Sequence, residues 1–162
     1  MKKIFLLLTV IGLSLTSCSD DDVDRDTFSE VFEVDNVNFL QSGNFSVTVP
    51  LNPQIYASDV ILVYRLAGAN SQGNDIWEPI PTTYNLAEGQ LNYFFDFSRN
   101  DVVVYLDSDF DPMLRQDFSL GQVLRIVIVP GYFSQSVDIN NYDAVISALN
   151  TKQGGEVQIQ KL

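Results

Sequence analysis

Val60-Ile61-Leu62-Val63-Tyr64-Arg65-Leu66 is almost unbroken apolar sequence, and Val123-Leu124-Arg125-Ile126-Val127-Ile128-Val129 repeats the pattern. Both runs are short, rich in β-branched residues and stopped by turn formers, which favours strands over helices. The first ends in the Gly-, Asn- and Ser-rich loop Ala67 to Asp75, the second at Pro130-Gly131. A strand with no polar alternation has no wet face, so each is expected at the centre of a sheet covered on both sides.

Around these two runs the apolar period is two. Phe32, Val34, Val37 and Phe39 are interrupted at Asp35-Asn36, which predicts a bulge. Gln41-Ser42-Gly43-Asn44 is a turn, and Phe45, Val47, Val49 and Leu51 then alternate with polar residues, so the two segments read as a hairpin with one wet face. Pro50 cannot donate to a ladder and marks a strand end or edge. Ile76 to Tyr84 reads as a broken strand kept at an edge by Pro79 and Pro81. Glu88-Gly89 turns into the alternating strand Leu91, Tyr93, Phe95, Phe97, and Arg99-Asn100-Asp101 turns again into Val102 to Leu106. Asp107 to Gly121 is the longest irregular piece. Tyr142, Val145, Ile146 and Leu149 change the period to that of a helix, with Asn140 or Asn141 able to cap its start. Glu156 to Leu162 is a candidate last strand. The expected fold is all-β: an antiparallel β-sandwich with one short C-terminal α-helix closing an open end or edge. A barrel is the runner-up. There is no internal repeat.

Composition removes many functions. The chain has 162 residues and no histidine, which excludes serine–histidine hydrolysis and histidine metal sites. Its one cysteine, Cys18, excludes internal disulfides and CxxC redox pairs. With 21 acidic and 9 basic residues the surface repels phosphate, so nucleic acid is not an expected partner.

The N-terminus carries the clearest signal. Met1-Lys2-Lys3 is a positive start, and Ile4 to Leu15 is an apolar run of 12 residues. As a helix it would cover about 18 Å, short of the roughly 30 Å hydrocarbon core, so residues 1–17 read as a signal peptide. Leu15-Thr16-Ser17-Cys18 resembles the bacterial lipobox, which implies cleavage before Cys18 and acylation of its thiol. Two or three acyl chains anchor stably. Without Lys2 and Lys3, 7 basic residues face 21 acidic ones, a formal charge of −14. Residues 18–27 form an acidic tether, because the aspartates of Asp20-Asp21-Asp22-Val23-Asp24-Arg25-Asp26 repel one another. Ser19-Asp20-Asp21-Asp22 behind the cysteine is similar to the surface-export signal of Bacteroidetes lipoproteins. That implies an outer-membrane protein facing the cell exterior. Residues 28–162 are expected to form a single domain.

Asp59 to Leu66, the Ile76-Trp77 segment ending in Pro81, Leu91 to Phe97 and Val123 to Pro130 together resemble a group of small Bacteroidetes lipoproteins, over roughly residues 31–149. The resemblance transfers no catalytic residues. Many relatives carry a collagen-like Gly-rich tract before the domain, and this chain has the acidic tether in its place.

Three patterns invite chemistry. Asp107, Asp109 and Asp111, with Asp117, offer the oxygen ligands that Ca²⁺ prefers, although Pro112 and Phe118 break the EF-hand pattern. The plainer reading is an acidic turn, and no other cofactor is expected. Arg65 and Arg125 interrupt apolar strands and must find acids, with Asp96 or Asp107 as candidates, or hold an anionic ligand. Trp77, Tyr84, Tyr93, Tyr132 and Tyr142 could make a sugar-stacking platform, although aromatics in strands usually belong to the core. No catalytic residue is nominated. The expectation is therefore a non-enzymatic, membrane-anchored lipoprotein with a binding or accessory role toward a protein or glycan. A glycan-binding accessory is the main alternative, ahead of a small carboxylate-only hydrolase.

Overall fold

The computed structural model describes residues 30–131 and 137–162. Two sheets face each other, as the alternation requires. The first has five strands in the order β4 (Asp75–Ile80), β3 (Val60–Ala69), β8 (Gln122–Val129), β1 (Val31–Val37), β9 (Ile159–Lys161). The second has four, β2 (Ser46–Pro50), β7 (Asp101–Ser108), β6 (Gln90–Phe97), β5 (Thr82–Asn85). Among the described strands all pairings are antiparallel except β1 with β9. The fold is thus the all-β sandwich expected.

The two apolar runs are β3 and β8, adjacent and inside the first sheet, and both of their faces are covered. Ile61, Val63, Leu124, Ile126 and Ile128 point between the sheets and meet Leu91, Tyr93, Val102 and Val104 from the second. Tyr64, Val127 and Val129 point the other way and pack under α2 (Tyr142–Gln153) through Val145 and Leu149. Each such aliphatic side chain contributes about 1.5–3 kcal/mol by leaving water. The helix therefore covers a sheet face instead of closing an end or edge. The continuous apolar sequence of β3 and β8 left a second buried face that needed that cover.

The bulge at Asp35-Asn36 is present: the β1–β8 register shifts between Val34 and Val37, and Asn36 has φ 54°. Pro50 ends β2 at an edge of its sheet. The expected hairpin of Phe32–Phe39 with Phe45–Leu51 does not form, because β1 pairs with β8 and β9 while β2 pairs with β7. A 3₁₀ turn at Gln41–Gly43 and left-handed conformations at Asn44 and Phe45 carry the chain across the core. The segment Ile76 to Tyr84 likewise divides at Pro81 into β4 and β5, an edge strand of each sheet. The irregular stretch after β7 holds a 3₁₀ turn, Pro112–Leu114, and the single turn α1 (Gln116–Ser119).

Candidate binding cleft

The side chain of Asn141 caps α2 by accepting a hydrogen bond from the Ala144 N–H at 3.1 Å. That fixes the first turn, so Tyr142 lands on the outer face of the first sheet. Its ring meets Tyr64 edge-on, with centroids 4.8 Å apart. Trp77 reaches the same face from edge strand β4, and the Trp77 and Tyr142 rings lie 6.2 Å apart, tilted by 30°. Both are half-buried and line a cleft of about 560 Å³ between β4 and the approach to α2. Asp75, Asp138 and Asp143 add carboxylates to its lining, and Asn140 and Asn141 add amides. The approach is held by Asp138, whose Oδ1 accepts from the Asn140 N–H at 3.1 Å.

Arg125 lies against this wall. Its guanidinium is 3.8 Å from the centre of the Trp77 ring and donates to the Tyr142 hydroxyl. The same group donates to Glu33 Oε2 at 2.6 Å, and Glu33 Oε1 takes Lys161 at 3.1 Å. The hydrogen bond from Arg125 holds the Glu33 carboxyl below the ordinary glutamate range, and burial raises the hydroxyl pKa of Tyr142 and pushes that of Tyr64 up to about 12. The tyrosines thus stay neutral donors and acceptors at any physiological pH.

Arg65 is the inward counterpart. Its Nε donates to Gln122 at 2.7 Å and its Nη1 to the Tyr84 hydroxyl at 3.1 Å, with Glu78 at 3.9 Å. Tyr84, Tyr93 and Phe118 surround it. The acids that pair with the two arginines are thus Glu78 and Glu33, not Asp96 or Asp107. Those two sit on β6 and β7, in the opposite sheet.

The five aromatic candidates separate accordingly. Trp77 and Tyr142 share the cleft, Tyr84 and Tyr93 are packing partners of Arg65, and Tyr132 lies outside the described residues. The acidic loop is not gathered around a centre. Asp109 Oδ1 accepts from the Gln90 N–H at 2.7 Å, Asp111 Oδ1 from the Met113 N–H at 3.0 Å, and Asp117 pairs with Arg115 at 2.7 Å. Asp107 lies on β7, where its carbonyl accepts from Asn92 at 3.2 Å. Among the described residues no three acids are arranged to hold a metal ion. Turn formation, the plainer expectation, accounts for Asp111, whereas Asp109 ties the loop to the start of β6. Leu15, Thr16, Ser17, Cys18, Ser19, Asp20, Asp21 and Asp22 lie outside the described residues.

Sequence reasoning missed Glu33, Tyr64 and the cleft acids. Glu33 carried a usable signal, an acid inside Val31-Phe32-Glu33-Val34, the mirror of an arginine inside β8. The cleft acids carried none, because their meeting depends on where α2 docks. Comparison of the chain with protein-family models, with curated proteins and with solved structures finds no match.

Proposed function

We propose that the chain is a non-enzymatic glycan-binding lipoprotein, anchored in the outer membrane through Cys18 and facing the cell exterior. The observation that carries the binding reading is the pair Trp77 and Tyr142, side by side in an open cleft beside amides and carboxylates. An aromatic wall takes the apolar face of a pyranose ring, and Asp and Asn oxygens accept from its hydroxyls.

The anchor and address rest on the lipobox-like junction, the acidic run behind it and the resemblance to small Bacteroidetes lipoproteins. Trp77 is the chain's one tryptophan, so its fluorescence follows the cleft directly. Titration with neutral oligosaccharides should change that emission saturably. No change across a broad panel would remove the glycan reading.

A further inference from the structure

Lys161, Glu33, Arg125, Tyr64 and Pro79 are direct cross-strand neighbours, one row through all five strands of the first sheet. The row ends at the cleft, which Pro79 lines, and Trp77 stands two residues earlier on the same strand. Arg125 touches both rings of the aromatic wall, the face of Trp77 and the hydroxyl of Tyr142. It is 7% exposed and does not itself line the cleft, and its buried Nε has no hydrogen-bond partner among the described residues. A buried donor left unmatched is a cost. Here it accompanies a guanidinium laid against an indole, so contact with the ring has been favoured over satisfying every donor.

We propose that Arg125 is the positioning residue of the cleft: it sets Trp77 and Tyr142 relative to each other, and Glu33 in turn fixes Arg125. The row ties the wall's geometry to the sheet as well as to the cap of α2. The proposal rests on the glycan reading for its ligand, but its main readouts need none.

The test uses two variants and the Trp77 signal. Arg125→Lys keeps a charge for Glu33 but lacks the planar fork that reaches Tyr142 as well. Arg125→Met combined with Glu33→Leu removes both charges together, so neither is left buried alone. Each should fold cooperatively, lose the near-ultraviolet dichroism of Trp77 and show acrylamide quenching raised about twofold, as for a site whose supporting shell is loosened. Binding to the oligosaccharides that the wild type takes from a panel should fall at least about fivefold.

A folded variant with unchanged Trp77 dichroism and quenching would mean that the ion pair is only structural, and the proposal would be wrong. Should both variants fail to fold, Tyr142→Phe decides, because it removes only the hydroxyl that Arg125 bonds. An unchanged Trp77 signal there also overturns the proposal. If the wild type binds no oligosaccharide while Trp77 loosens as described, the positioning role stands and the glycan reading falls.

Discussion

Arg65 and Arg125 look alike in the sequence, each a lone cation in a strongly apolar strand, yet they face opposite sides of one sheet. In the β3–β8 register Arg125 lies opposite Tyr64, and Arg65 opposite Leu124. One arginine is therefore sealed between the sheets while the other supports the cleft wall. That both needed partners was legible from the residues. Which acids serve was not, because partner choice follows sheet assignment. The bridge from Arg125 to Glu33 is buried, so Arg125→Met alone leaves Glu33 with Lys161 as its remaining cation and should cost about 1–3 kcal/mol, read from denaturant unfolding. Since the carboxyl of Glu33 is pushed below its ordinary 4.5, its contribution is complete above that value and disappears as pH falls through the lowered one. As pH falls below about 4.5 the wild type should lose stability that Glu33→Gln never had, so their melting temperatures should converge toward acid. A constant gap over that range would contradict the role given to this pair.

Hairpins with short turns were the legible elements. The β5–β6 and β6–β7 connections carry their information locally, in Glu88-Gly89 and in Arg99-Asn100-Asp101. The link from β1 to β2 was not legible, since the period-two pattern is the same whether neighbouring strands pair or cross between sheets. The left-handed pair Asn44-Phe45 makes the crossing, and nothing in the residue types announced two such conformations in a row. Gly89 illustrates a local requirement. It has φ +143°, and an added Cβ would lie 2.0 Å from Asp109 Oδ1. Gly89→Ala should therefore destabilise by about 1–3 kcal/mol, through the strained backbone and the displaced Asp109 hydrogen bond. For α2, whose cap the sequence narrowed to Asn140 or Asn141, Asn141→Ala should cost about 1 kcal/mol in thermal unfolding. Because Tyr142 is the next residue, the same change should also broaden the Trp77 signal. An unaltered melting curve would mean that the cap does not hold this helix.

On the scale of the molecule, the junction at Cys18 and the cleft lie in different parts of the chain but form one functional proposal. The described residues start at Glu30, and Val31 stands level with Val127 and Leu62 across the sheet. Trp77 pairs with Leu66, four residues further along β3, which places it about 13 Å toward the opposite end. A tether leading from Glu30 to a membrane would leave the cleft toward the side away from it. If lipid holds the chain, Cys18→Ser should move it from the membrane to the soluble fraction. Protease added to intact cells should remove the wild-type domain but spare a variant with Asp20, Asp21 and Asp22 replaced by alanine. The most direct test of the central reading is a glycan array probed with the wild-type domain and with Trp77→Ala. Binding to a defined set of glycans that falls at least about fivefold in Trp77→Ala, while that variant still unfolds cooperatively, is the expected result. Equal binding by both proteins, or none by the wild type, would contradict it.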